Sequence, residues 1–177
     1  RTALNNESDK NVAKKLILKA KIKTANFFVT NPKEHQTQTS LPISFPLFIK
    51  PIKGGDSRGI DCNSVAYNFS SFTKKVLEIK KKHNLSSLVE TYLPGKEYSV
   101  GIFQDSIKGT LRAMPVEIVV KKNSKGHSIL DYDVKKKDEE KVLAVTDKKI
   151  FKKLTKLAKE AFIALGGKSL GRIDIKM

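Results

Sequence analysis

What most narrows the fold of this chain is how closely its extended segments follow one another. "SSLVETYL" runs from Ser86 to Leu93, "PGKE" turns, and "YSVGIF" alternates from Tyr98 to Phe103. Two further strands are predicted at Thr110–Met114 and Val116–Val120, ahead of a Gly/Ser/Asn turn, and "SLGRIDIKM" closes the chain as a last strand. In the first half, "NFFVT", Phe45–Lys50 and a short piece at Val65–Tyr67 also read as strands, with the polar stretch "NPKEHQTQTSLP" between the first two. Three helical patterns interrupt this series. Residues 8–22 place Val12, Leu16 and Ala20 on one stripe with Ser8 or Asp9 as N-cap. "SSFTKKVLEIKKK" carries Phe72, Val76 and Ile79 behind a serine cap. The longest opens at Asp147 and keeps Ile150, Leu154, Leu157, Ala158, Ala161 and Leu165 in helical period until Gly166 and Gly167 end it. Strands joined by hairpin-length connections, with helices among them, predict an α+β fold.

Composition bounds the setting. With 177 residues, 39% of them hydrophobic, the chain can fill one substantial domain or two small lobes sharing a cleft. No apolar run is long enough to cross a bilayer. Cys62 is the only cysteine, so an internal disulfide is excluded and a reducing cytoplasm is the expected compartment. The net charge of +17 invites a nucleic-acid partner, but of 35 basic residues only Arg1, Arg58, Arg112 and Arg172 are arginines. Base-reading proteins favour the arginine fork, and these lysines are spread over nearly every segment, which argues against a nucleic-acid interface and for a solvated lysine-rich surface with affinity for phosphate. His35, His83 and His127 are scattered and predict no zinc site; Cys62 is expected to be buried or inert.

Four stretches hold candidate chemistry. "FPLFIKPIKGGDSRGI" drives Lys50 to the end of a strand and follows it with Gly54, Gly55, Asp56, Ser57 and Gly59. A glycine-rich loop lets backbone N–H groups approach an oxyanion, and an adjacent lysine adds a point charge; a mobile hairpin loop with a snorkelling lysine explains it equally well. "LVETYLPGKEYSV" sets Glu90 and Glu97 on a linker, suited to a base and a ribose or simply to a solvated hairpin. "DYDVK" ends on Lys135. "GRIDIKM" points Arg172 and Asp174 to one face of a strand, as a structural ion pair or half of a metal–phosphate site.

Taken in order, a lysine in an early helix, K-P with G-G-x-S-x-G-I, V-E-x-Y-L-P-G-x-E-Y-S-V, D-Y-x-x-K, a long helix and G-R-I-D resemble the ATP-grasp ligases, most closely the D-alanine–D-alanine ligases, from about Asp9 to Met177. The resemblance implies two lobes whose antiparallel sheets clasp ATP: a connecting helix in 1–24, a small lobe in 25–95 and the first part of a large lobe in 96–177. It implies that Lys10, Lys50 and Lys135 contact the phosphates and that the loop of Gly54, Gly55, Asp56 and Ser57 closes over them. Glu90, with the backbone of Thr91 and Leu93, would hold the adenine, and Glu97 the ribose. Arg172 would support the acyl phosphate and tetrahedral intermediate, with Lys135 beside it, and Asp174 would be the first magnesium ligand (manganese being a substitute). The implied reaction is ATP-dependent joining of a carboxylate to an amine, with D-alanine as substrate for peptidoglycan precursors, in a full-length protein that is often a dimer in this family.

Asp56 stands where the D-alanine enzymes usually have serine, Lys136 where they have tyrosine, and Thr91 where lysine is common. An ATP-grasp ligase of another acid or amine, or a basic nucleic-acid-binding module, therefore stays open as an alternative. Residues 1 and 177 both fall abruptly, so this sequence is expected to be a piece lacking a preceding domain and a later E-x-N metal segment, and inactive alone.

Overall fold

A computed structural model describes residues 8–123, 125–131, 134, 137 and 139–177. Helix α1 (Lys10–Lys19) starts where the Asp9 carboxylate accepts from the N–H groups of Asn11 and Val12, so of the two expected caps it is Asp9 that acts. The expected apolar stripe is not what docks it: Val12 and Ala20 are exposed and no residue of α1 is buried. Its inward contact is polar instead, because Lys14 Nζ reaches Thr24 Oγ1 and the Ala25 carbonyl.

Strands β1 (Phe27–Thr30), β2 (Leu47–Pro51), β3 (Val65–Ala66) and β4 (Ser87–Thr91) form one antiparallel sheet in the order β1-β4-β2-β3. Helix α2 (Phe69–His83) covers one face, and Phe72, Val76 and Ile79 pack there on Leu47, Ile49, Ala66 and Val89. The cap of α2 is Asn68, not a serine. Its side chain accepts from the Ser71 N–H while the Ser71 hydroxyl accepts from the Asn68 N–H, so the serine supplies the other half of a capping box.

The second sheet has the order β7-β6-β5-β8, all antiparallel: β5 (Glu97–Gln104), β6 (Leu111–Val119), β7 (Lys141–Ala144) and β8 (Leu170–Lys176). Helix α3 (Lys148–Ala164), capped by Asp147, packs Leu154, Ala158 and Phe162 on Tyr98, Val100 and Ile102. Two corrections apply. The two strands expected around Pro115 are one, β6; β7 pairs only from Val116 on, so the proline sits where the strand becomes an edge and its missing N–H is tolerated. Strand β7 itself was not foreseen: its four residues are all exposed and show no alternation. No described helix is long and apolar enough to cross a membrane.

Gly171 in β8 is fixed by packing. A Cβ there would lie 2.6 Å from Phe162 Cε2, inside the core between α3 and the sheet. Gly171→Ala is therefore expected to destabilise the protein by about 1–3 kcal/mol through overpacking, read as a lower midpoint in urea at unchanged slope.

Candidate active site

The face of the first sheet turned away from α2 gathers charge. Register places Phe27, Glu90 and Phe48 side by side across β1, β4 and β2, with Lys50 two residues beyond Phe48 on the same face. Glu90 is only 7% exposed. Lys50 pairs with one of its carboxylate oxygens, and Lys14 Nζ lies 2.5 Å from the other. Both ammonium groups also sit over aromatic rings, Lys14 at 5.0 Å from the Phe27 centroid and Lys50 at 5.6 Å from that of Phe48. Burial pushes the Glu90 carboxyl up, but Lys50 and Lys14 outweigh it and hold its pKa below the usual range. Burial lowers Lys14 despite the favourable carboxylate.

Lys10 joins the same cluster. Its Nζ donates to the Gly54 carbonyl at 2.7 Å and its backbone N–H to the Ile52 carbonyl, so the start of α1 is stitched to the start of the glycine loop. Burial first, and the neighbouring Lys50 second, bring its pKa down to about 8. The loop is held at its other end too: at Gly59, φ +76°, a Cβ would meet Pro51 Cγ at 2.6 Å. Between them Asp56 and Ser57 both adopt left-handed backbone, and Ser57 Oγ donates to the Leu130 carbonyl at 2.8 Å.

That last bond is one of several ties between the two sheets' halves. Lys125 Nζ donates to Asn63 Oδ1 at 2.7 Å. The His127 ring stacks on Tyr67 at 5.7 Å and meets the edge of Tyr92 at 5.4 Å. His127, expected to be one of three scattered histidines, is thus buried where Tyr67, beside the first sheet, and Tyr92 of the linker meet residues 125–130. Cys62, expected to be buried or inert, is half-buried.

Glu90 and Glu97, expected on the linker between lobes, flank it: Glu90 lies in β4, Glu97 opens β5, and residues 92–96 join the two strands. At the end of β4 the Thr91 N–H donates to the Asn26 carbonyl; in the linker the Tyr92 N–H donates to the Pro46 carbonyl, while the Leu93 N–H has no acceptor among the described residues. A cavity of about 250 Å³ opens beside the linker, lined by Pro94, Lys96, Glu97, Glu117, Ser128 and Lys176.

On the open face of the second sheet, Arg172 and Asp174 do share a side of β8, as expected. Arg172 Nε is 3.1 Å from Asp174 Oδ1, and Ser99 Oγ donates to the same oxygen at 2.8 Å. The pair is open to solvent, the side chains being 63% and 47% exposed. Among the described residues no three His, Cys, Asp or Glu side chains gather as a metal site. One carboxylate is nevertheless compatible with magnesium, which commonly takes one or two carboxylates and fills its octahedron with phosphate oxygens and water. Lys135 and Lys136 lie outside the described residues. The structure thus brings Lys10, Lys50, Glu90 and Gly54 together, sets Arg172 with Asp174, and keeps Glu97 in the linker cavity. Lys14 was missed, although it falls one helical turn after Lys10.

A family profile described as the D-ala D-ala ligase C-terminus matches residues 16–177. The D-alanine–D-alanine ligase of Streptococcus pyogenes serotype M49 is 28% identical over 141 residues, covering 77% of this chain and 37% of the relative. Among solved structures, the D-alanine–D-alanine ligase of Bacillus anthracis complexed with ATP superposes with a TM-score of 0.72 at 19% identity, over 99% of this chain and 52% of that one. The VanG D-Ala:D-Ser ligase of Enterococcus faecalis gives 0.75 at 20% identity, covering 99% and 50%. The L-amino acid ligase of Bacillus licheniformis gives 0.69 at 17% identity, covering 99% and 38%. The chain thus spans about half or less of the length of each of these relatives.

Proposed function

The chain belongs to the D-alanine–D-alanine ligase family through that family's C-terminal domain and has the ATP-grasp fold, and on this premise we propose that it forms the nucleotide-binding core of an ATP-dependent carboxylate–amine ligase. The observation that carries the reading is the pairing of Lys14 and Lys50 with Glu90 beside Lys10, whose ammonium is tied to the Gly54 carbonyl at the root of the glycine loop.

We assign the small lobe to 25–95, the large lobe to 96–177 and the connecting helix to 1–24. Lys10 and Lys50 bind the phosphates, and the loop of Gly54, Gly55, Asp56 and Ser57 folds over them. Adenine is held at Glu90, the Thr91 carbonyl and the Leu93 N–H; Glu97 takes the ribose. Asp174 holds Mg²⁺, which when bound supplies positive charge to the phosphate oxygens. The first substrate's carboxylate attacks the γ-phosphorus and ADP leaves; the amine of the second then attacks the carbonyl carbon of the acyl phosphate, losing a proton as inorganic phosphate leaves and the amide bond forms. Arg172, with Lys135, offsets the charge that builds on that intermediate. Little covalent chemistry is asked of the protein beyond positioning and charge neutralisation. D-alanine is the substrate we propose, in the cytoplasm, toward peptidoglycan precursors.

The full-length protein is expected to consume ATP in the presence of Mg²⁺ and to be stimulated by D-alanine; absence of stimulation by every amino acid in a panel contradicts the ligase reading. A second reading, a ligase of another acid or amine, is favoured by Asp56 in the closing loop. Stimulation by D-lactate, L-amino acids or dipeptides in preference to D-alanine would select it.

The lowered Lys10 pKa adds a pH dependence. Lys10 must be charged to attract phosphate, and its free-state pKa is about 8. ATP affinity is therefore expected to fall as pH rises from about 7 to about 9, and Lys10→Arg, which stays charged, to flatten the profile in calorimetric titrations. The sign for folding is opposite. The native state disfavours the proton that the unfolded chain keeps up to the ordinary lysine pKa, so Lys10 contributes stability that appears above about pH 8.

A further inference from the structure

Two lysines for which no role was expected line the linker cavity: Lys96 is paired with Glu117, and Lys176 with the proposed site residue Glu97. Lys176 is the register partner of Glu97 across β8 and β5. Its Nζ lies 3.4 Å from Glu97 Oε2 and donates to the Ser128 carbonyl at 3.2 Å. The backbone beneath it is fixed: the Met177 N–H donates to the Lys96 carbonyl at 3.0 Å, and a Cβ on Gly95 would collide with the Met177 carbonyl oxygen. Both side chains are largely withdrawn from water, at 27% and 22% exposure, so the pair is less screened than an ordinary surface contact.

We infer that Lys176 is a positioning residue for the nucleoside: it holds one oxygen of Glu97, directing the other into the cavity toward the ribose hydroxyls, and ties Ser128 to the cavity's edge. The inference rests on the nucleotide reading above. A glutamate left to itself rotates among several rotamers, and fixing it lowers the ordering cost at binding. Lys176 leaves Oε1 as the remaining acceptor, and its ammonium offsets the charge of a carboxylate brought beside a polyanionic ligand.

The test uses the full-length protein and calorimetric titration with Mg·ATP and with Mg·2′,3′-dideoxy-ATP, on the wild type, Lys176→Met, Lys176→Arg, Glu97→Gln and the Lys176→Met/Glu97→Gln pair. Lys176→Met is expected to weaken ATP about tenfold and the dideoxynucleotide less than about twofold, because only ATP offers hydroxyls to Glu97. Lys176→Arg is expected to restore most of the ATP affinity, and the double variant to bind ATP no more weakly than Glu97→Gln alone. Equal losses for both nucleotides, or additive losses in the double variant, would reduce Lys176 to a structural role and overturn the inference. So would wild-type-like ATP binding by Lys176→Met. If the wild type binds no ATP, the nucleotide reading itself falls and the inference with it.

Discussion

Glu90→Ala is expected to destabilise the protein by about 3 kcal/mol or more, the low end of the range for a buried ion pair stripped of one partner. The carboxylate is 7% exposed and is the shared counter-ion of Lys14 and Lys50. Removing it leaves two ammonium groups facing each other over Phe27 and Phe48, in a place where each is only partly able to reach water. Glu90→Gln keeps the shape and an acceptor but not the charge, so it is expected to fall between the wild type and the alanine variant. Replacing all three members, as Lys14→Met, Glu90→Leu and Lys50→Met together, is expected to recover much of the loss, because no unpaired charge then remains buried. Urea denaturation of the four proteins at neutral pH reads this directly. An alanine variant within about 0.5 kcal/mol of the wild type would mean that the two lysines swing out to solvent and that the cluster contributes nothing to the fold.

Asp174→Ala is expected to do the reverse, leaving stability intact and removing function. The residue is half-exposed and its contacts to Arg172 and Ser99 lie on an open face, so their loss is worth little. If Asp174 is the protein's carboxylate for Mg²⁺, the full-length variant loses about three orders of magnitude in ATP turnover, comparable to removing a key source of electrostatic stabilisation. Its ATP affinity measured without metal stays near the wild-type value, since Lys10, Lys50 and the linker are untouched. Turnover reduced less than about tenfold would move the metal to other ligands.

These two residues also mark where the sequence was legible. Arg172 and Asp174 follow from the two-residue period of a strand, and the structure places them in contact. The strand ending on Lys50 and the glycine loop after it were equally visible, as were α3 and its Asp147 cap, because long periodic patterns with polar caps leave few alternatives. The pairing of Lys50 with Glu90 was not. It depends on the register that sets Phe48 opposite Glu90, a long-range fact that no local pattern encodes. Lys14 was passed over for the same reason: one turn beyond Lys10 it reads as another solvated lysine until β4 supplies its partner. Asn68 escaped because Ser71, three residues on, carries the other half of the same motif. Strand β7 had no signal, being four exposed residues at an edge.

The central proposal is that Lys10 and Lys50 beside the first sheet and Asp174 on the second serve one magnesium-bound triphosphate. A crystal structure of the full-length protein with Mg²⁺ and a non-hydrolysable ATP analogue tests it most directly. Lys10 and Lys50 should lie within hydrogen-bonding distance of the phosphates, the Leu93 N–H on the adenine, and Asp174 on the metal. An analogue bound away from the glycine loop, or phosphates facing solvent with Lys50 still locked on Glu90 and Asp174 bare of metal, contradicts it.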